Sequence, residues 1–392
     1  MRFNGLVSCG LMLLATGWTP AAASSDYFEA RTWTVTNRNL ISGNNLALMQ
    51  PGNDTRVNLM LLLQDDRRKV ATSGPGHVFF NWGELSASLY PEQGNSDSAG
   101  FYDHSRCQTN ETGRDAFVQA VRSVQRLPEA ERGLLISVRQ AVAPDCEVRT
   151  AGSEEIVRLA AIQTPLGQEL AVYLRSALSF YNGDFEAATR GFSSLVGAKN
   201  DWLKETSLYM IARSELNRSQ AQAFDEYGYF AGPQAVGQGA IRNAERGFNL
   251  YLKIYPNGSY QQSAKGLLRR VYWLAGDTNK LSNEYAQVLD QPGMTGTRLP
   301  VLIQEVDDKL LSILALDSST SDPELLAMVA LYRMRKPYDP YEDEEAKPAI
   351  SRSEIEAMQG RLASRPGLLE YLLAAQAFYV ADDPKTVLQL IP

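Results

Sequence analysis

The sequence feature that most constrains this chain is a helical pattern that is interrupted twice by a Gly-Asp pair. The first helical pattern ends in Phe180-Tyr181 and is followed by Asn182-Gly183-Asp184-Phe185, after which a second helical pattern begins. The same order returns where Tyr272-Trp273 is followed by Ala275-Gly276-Asp277. Glycine and aspartate favour turns, whereas the flanking apolar residues recur at the spacing of one helix face. The sequence therefore predicts helical hairpins joined by tight turns.

The small and aromatic residues around these turns resemble the tetratricopeptide repeat. Ala188 and Phe192 follow the first turn at the positions where the repeat has a small residue and an aromatic that pack back on its first helix. Ala244 and Pro256 have the separation of that small residue from the terminal proline. The resemblance covers roughly residues 170 to 290 and is to repeats of bacterial periplasmic proteins, such as the outer-membrane β-barrel assembly lipoprotein and the envelope coordinators of cell division. It implies an all-α fold, a tetratricopeptide-like helical-hairpin solenoid.

Two turns depart from the repeat pattern. Thr278 stands where an aromatic usually follows the Gly-Asp pair, and a last helical signature from Tyr371 to Tyr379 runs into Asp382 where glycine is usual. The number of repeats is therefore left open. The alternative is a bundle of ordinary amphipathic helices, which is also all-α.

The beginning of the chain has the pattern of an export signal. Arg2 precedes an apolar stretch from Leu6 to Ala15, and Thr19 to Ala23 adds a helix breaker and small residues. We expect cleavage near Ala23, a mature chain from Ser24 and a periplasmic location. A lipoprotein cleavage box at Leu6-Val7-Ser8-Cys9 is the alternative. No later segment is apolar for the about 20 residues that a spanning helix needs, so we expect no transmembrane segment in the mature chain.

The cysteine and histidine counts agree with an exported protein that holds no metal. Removal of the signal would leave Cys107 and Cys146, an even number in a compartment that permits disulfides. We therefore expect a disulfide between them, with two buried free thiols as the alternative. The two histidines, His77 and His104, are too few for a histidine-rich metal site. No cofactor and no metal are predicted.

The patterning divides the chain into five parts. Turn formers such as Ser73-Gly74-Pro75-Gly76 are frequent before residue 110, whereas Phe117, Val121 and Val124 recur at helical spacing. A proline at Leu127-Pro128-Glu129 indicates a break between two helices. The predicted parts are a signal peptide (1–23), an irregular N-terminal cap (24–112), a helical connector (113–165), tetratricopeptide-like repeats (166–292) and a C-terminal helical region ending in a partial repeat (293–392).

Charge and motifs favour neither nucleic-acid binding nor catalysis. The formal net charge of -7 lacks the basic face that tracks phosphates. Gly237-Gln238-Gly239 lacks the third glycine and the preceding strand of a phosphate-binding turn, so it is interpreted as a loop before a helix. The acidic run from Asp339 to Glu345 lacks the glycine and ligand spacing of a calcium loop, which favours a solvated linker. Nucleophile elbows, zinc-protease motifs and P-loops are absent from the sequence.

A long insertion marks the candidate binding segment. Roughly twenty residues from Asn217 to Gly239 separate the predicted helices Leu203 to Leu216 and Ile241 to Leu252. Insertions between repeat helices commonly project from one face. The alternative is a structural cover over the solenoid. The candidate anchors for an envelope protein or peptide are Phe224, Tyr227, Tyr229 and Phe230.

The function that these features favour is a non-catalytic interaction scaffold of the bacterial cell envelope. A curved helical array would present a groove to an envelope protein or peptide. The alternative is the helical solenoid portion of a larger cell-wall-active enzyme. Lytic transglycosylases, for instance, combine such a solenoid with a separate catalytic domain.

Overall fold

The fold is all-α. The computed structural model describes residues 49, 51, 55–65, 110–142, 153–224, 230–289, 302–303, 305–311, 320–334 and 349–390. Within these ranges successive helices pack on their neighbours as in a solenoid and no strand is formed, which confirms the predicted all-α fold. The α-helices of this part of the chain are α1 (Thr55–Asp65), α2 (Asn110–Ser123), α3 (Glu129–Ala141), α4 (Ser153–Arg158), α5 (Pro165–Tyr181), α6 (Phe185–Ser193), α7 (Asp201–Ser219), α8 (Gln238–Ile254), α9 (Gln261–Ala275), α10 (Thr278–Leu289), α11 (Pro323–Met334), α12 (Arg352–Glu356), α13 (Pro366–Tyr379) and α14 (Pro384–Leu390).

The predicted break at Pro128 separates α2 from α3. Proline lacks an amide hydrogen, so it stands immediately before the first turn of α3 without loss of a helical hydrogen bond. Arg132 of α3 donates to the carbonyl oxygens of Val121 (2.6 Å) and Val124 (2.7 Å), which closes the end of α2. Phe117 and Val121 are fully buried. The first two helices of the helical connector thus form a hairpin with a buried apolar face.

The two Gly-Asp turns have the same local geometry. Gly183 (φ 80°) and Gly276 (φ 69°) adopt left-handed backbone, which glycine enters without a steric penalty. The next residue caps the following helix in each case: Asp184 Oδ1 accepts from the amide of Ala187 at 3.1 Å, and Asp277 Oδ1 accepts from that of Lys280 at 3.0 Å. The pair therefore ends one helix and begins the next.

A third turn of this kind joins α13 to α14. Asp382 has φ 51° and is the non-glycine residue with positive φ among those described. Asp383 follows it and its Oδ1 accepts from the amide of Thr386 at 3.2 Å. The departure from glycine at this turn thus changes the residue and keeps the left-handed backbone.

Small residues bring the helices of each hairpin close together. Ala188 and Ala244 are fully buried. A Cβ added at Gly247 would lie 2.8 Å from the Cβ of Ala212 on α7, so these two backbones approach too closely for any larger side chain. The expectation that the small helix-B positions face a neighbouring helix therefore agrees with their burial.

Several expectations fall outside the described residues and stay predictions. These are the signal peptide, most of the irregular cap, the disulfide between Cys107 and Cys146, and the acidic run from Asp339 to Glu345. The Gly237-Gln238-Gly239 segment is described and differs from the expected loop, because α8 begins at Gln238 and Gly239 lies in its first turn. No helix of the described part is both long and apolar enough to cross a membrane.

Candidate binding surfaces

The insertion between α7 and α8 is closed at its base by hydrogen bonds. The Gly237 amide donates to the carbonyl of Ser219, the last residue of α7, at 2.8 Å. Farther out, the Ala231 amide donates to the carbonyl of Ala223 at 2.9 Å, beside a single antiparallel bridge between Phe224 and Phe230. Its outgoing and returning legs therefore pair with each other.

Two of the four predicted aromatic anchors pack against the helices. The rings of Phe224 and Phe230 are half-buried, with centroids 5.7 Å apart. The ring centroids of Phe230 and Trp273, which belongs to α9, lie 4.3 Å apart. The ammonium of Lys309 lies 4.9 Å from the ring centroid of Trp273. Tyr227 and Tyr229 lie outside the described residues.

The returning leg of the insertion packs on the α9–α10 turn. A Cβ at Gly276 would lie 2.9 Å from Cγ of Pro233, so this turn has no room for a side chain beneath the insertion. Val236 of the same leg is buried in the core. The insertion thus contacts the hairpin after its own, which holds its legs in place.

The helix faces around Tyr173 and Tyr209 are filled by the protein itself. Tyr173 is 6% exposed and Tyr209 is 4% exposed. Phe117 stacks on Tyr173 with ring centroids 5.4 Å apart, and Trp202 meets the same ring at 5.0 Å. Tyr260 stacks on Tyr209 at 4.4 Å. These rings form core between successive helices and leave no open groove at this place in the described residues.

Two arginines continue the same buried row. The guanidinium of Arg139 lies 5.8 Å from the ring centroid of Tyr181, and that of Arg213 lies 5.0 Å from Phe180 and 5.7 Å from Tyr209. Cation–π attraction is strongest where both groups are desolvated, so these pairs stabilise the charge inside the helical stack. Burial raises the pKa of the neighbouring Tyr173 well above its ordinary value, which keeps that hydroxyl protonated.

The carboxylate of Glu205 lies next to the phenol of Tyr251, and both groups also accept hydrogen bonds from backbone amides. The Tyr251 hydroxyl donates to Oε1 of Glu205 at 2.8 Å and accepts from the Tyr260 amide at 2.9 Å. The Ser259 amide donates to the same carboxylate oxygen at 2.5 Å. Burial, followed by this carboxylate, raises the pKa of Tyr251. The pair therefore fixes the chain that leads into α9.

The outer face of α8 carries an exposed set of cationic and aliphatic side chains that the sequence analysis did not single out. These residues do not belong to the apolar pattern of α8, because they lie on the side of the helix opposite its buried face. Side chains three and four residues apart share one face of a helix. Once the buried face of α8 is known, the residues of its exposed face can therefore be identified in the sequence. The set, called the α8 stripe below, comprises Arg242, Arg246, Leu250, Lys253 and Ile254.

Comparison with known proteins adds no candidate chemistry. Neither the protein-family models, nor the curated proteins, nor the solved structures contain a match to this chain. Among the described residues, no three histidine, cysteine or acidic side chains are grouped closely enough to hold a metal ion.

Proposed function

We propose that this chain is a non-catalytic interaction scaffold of the bacterial cell envelope that binds an envelope protein or peptide. The observation that carries the proposal is the insertion between α7 and α8. The neighbouring hairpins α5–α6 and α9–α10 turn at a Gly-Asp pair, whereas here the chain adds a long aromatic segment and fixes both its legs. Long connections held on a rigid scaffold are where binding residues concentrate.

The contacts of the insertion assign different tasks to its aromatics. Phe224 and Phe230 pack on each other, and Phe230 also packs on Trp273 of α9. Part of their surface is therefore buried within the fold and is not accessible to a partner. Tyr227 and Tyr229 stand in sequence between these two rings. Tyrosine contributes a large contact area at low conformational cost, and aromatics buried on binding contribute a disproportionate share of interface energy.

We expect two double variants of the insertion to separate binding from stability. Tyr227→Ala with Tyr229→Ala should lose partner capture from envelope extract at an unchanged unfolding midpoint. Phe224→Ala with Phe230→Ala should lower the free energy of unfolding by about 2 to 4 kcal/mol, because it removes half-buried rings from the core. Capture is measured by affinity isolation with the mature chain, and stability by urea unfolding.

The same pair of variants can contradict the proposal. Full capture by the tyrosine variant would mean that the insertion is structural cover and does not supply the binding anchors. Circular dichroism of each variant shows whether any loss of capture comes from lost helix. A matched control is Tyr255→Ala, which removes a half-buried tyrosine from the end of α8, outside the insertion.

A further inference from the structure

The α8 stripe runs along one side of its helix. Arg242, Arg246, Leu250, Lys253 and Ile254 are all exposed and follow each other at intervals of three, four or one residues, which places them on one helix face. The opposite face of α8 is buried between its neighbours. The stripe is therefore surface that the hairpin packing leaves free.

A shallow concavity lies along this stripe. Its volume is about 460 Å³, and the lining side chains in the described part of the chain lie on α8. A concave surface admits the side chains of a partner, whereas a flat one does not. The lining residues are Arg242, Glu245, Arg246, Asn249, Leu250 and Lys253.

The concavity is cationic because three cations and one carboxylate, Glu245, stand among its described lining residues. Oε1 of Glu245 accepts from Nζ of Lys280 on α10 at 2.7 Å. No carboxylate of the described residues forms an ion pair with Arg242, Arg246 or Lys253. Lys280 also pairs with Asp277 at 3.2 Å, so it neutralises Glu245 only in part. Arg242, Arg246 and Lys253 still outnumber that carboxylate, which leaves a local excess of positive charge on a chain whose formal net charge is -7. Such a local reversal of sign favours a negatively charged partner.

Two aliphatic side chains stand among these cations. Leu250 is 47% exposed and Ile254 is 52% exposed. They are four residues apart on a helix, so they are neighbours and form one apolar strip. An apolar strip bordered by cations matches a helix that carries apolar residues along its centre and carboxylates along its edges.

We propose that the α8 stripe binds an acidic amphipathic helix of a partner protein. This inference rests on the scaffold function proposed above, since it names the chemistry of one partner. An anionic lipid surface fits less well, because lipid-binding clusters contain about 4 to 8 basic residues and interfacial aromatics. The stripe has three cations and no aromatic side chain.

The test uses the full mature chain and a defined peptide. The probe is a fluorescently labelled helical peptide of about 15 residues, with leucines at i, i+4 and i+7 and glutamates beside them. We expect saturable binding by fluorescence anisotropy that weakens as sodium chloride rises. The triple variant Arg242→Glu, Arg246→Glu and Lys253→Glu should weaken binding by about tenfold or more, since every ion pair becomes a repulsion.

A matched control reverses three exposed cations elsewhere in the chain. Arg126→Glu, Arg175→Glu and Lys199→Glu change the net charge by the same amount and leave α8 intact. This control should bind the peptide within about twofold of the wild type at physiological salt, because distant surface charges are screened. Circular dichroism verifies that both triple variants keep their helix content.

Three results would overturn the inference. They are the absence of saturable binding to the wild type, an equal loss in the two triple variants, and binding to vesicles containing anionic lipid without binding to the peptide. Because the probe is a defined peptide, its failure is separate from failure of the scaffold function. Capture of an envelope partner that depends on Tyr227 and Tyr229 would then persist while the peptide assay is negative.

Discussion

At the residue scale, the turns depend on a few positions whose backbone only certain side chains tolerate. Gly183 and Gly276 were predicted as turn residues because a Gly-Asp pair punctuates the helical pattern. Asp382 stands at the usual glycine position of the last turn, but the sequence does not show which backbone conformation it adopts. Left-handed backbone at a residue other than glycine is uncommon, and aspartate is among the few that enter it as single residues. Only the structure shows that Asp382 continues the series.

We expect glycine substitutions at these turns to be costly in an order that the contacts define. Gly183→Ala should lower the free energy of unfolding by about 1 to 2 kcal/mol, because alanine is strained at φ 80°. Gly276→Ala should cost more, since its Cβ also meets Pro233 at 2.9 Å. Gly197→Ala is the control, with nothing within 4 Å of the added Cβ. Urea unfolding measures all three, and equal losses would contradict the order.

At the element scale, the apolar periodicity predicted where the helices lie but did not predict which other helices pack around them. The predicted helices Leu203 to Leu216 and Ile241 to Leu252 both lie within the observed α7 and α8. Helix α7 begins at Asp201, before the predicted Leu203, because Oδ1 of Asn200 caps it by accepting from the Leu203 amide at 3.0 Å. Burial of α7 on most of its sides was not predicted, since a single sequence does not show that a helix is enclosed by neighbours on both sides.

We expect the close packing of α7 and α8 to reject a larger residue at the small helix-B position. Ala244 is fully buried, so Ala244→Leu should overpack the hairpin and lower the free energy of unfolding by about 1 to 3 kcal/mol. Ala363→Leu, at an exposed position, is the control and should change stability by about 0.5 kcal/mol or less. An unchanged urea midpoint for Ala244→Leu would show that the position tolerates bulk and that the packing described here is wrong.

At the scale of the whole molecule, contacts between distant parts of the sequence escaped prediction. The tilted ring contact between Phe230 and Trp273 joins the insertion to the next hairpin, and no local sequence pattern predicts it. The α8 stripe was missed for a related reason: its residues stand out only after burial has fixed which face of α8 is free. Sequence periodicity therefore gave the all-α class, whereas the candidate surfaces required tertiary contacts.

An ion pair between α11 and α12 contains a carboxylate with a strongly lowered pKa. Oε1 of Glu354, on α12, accepts from Nη2 of Arg333, on α11, at 2.8 Å. Its other oxygen accepts from the Ser351 amide at 2.8 Å and from the Ser351 hydroxyl at 2.7 Å. These bonds lower the pKa of Glu354 from 4.5 to about 2, and the bond from the Ser351 amide has the largest effect. The ionised form is thus favoured by folding.

We therefore expect the contribution of Glu354 to stability to be lost in acid, and to be local. A carboxylate whose pKa is lowered on folding stabilises the protein above its unfolded value of 4.5, and that stability disappears as the pH falls towards about 2. Glu354→Gln should then be less stable than the wild type at pH 7, with a difference that shrinks below about pH 4.5. Because α11 packs on α1 and α13, and α12 packs on α13, hydrogen exchange should increase in these four helices and stay unchanged in α5 to α8. The control is Glu356→Gln, which removes an exposed partner of Arg352. A stability difference that does not depend on pH, or faster hydrogen exchange in all helices, would contradict the expectation.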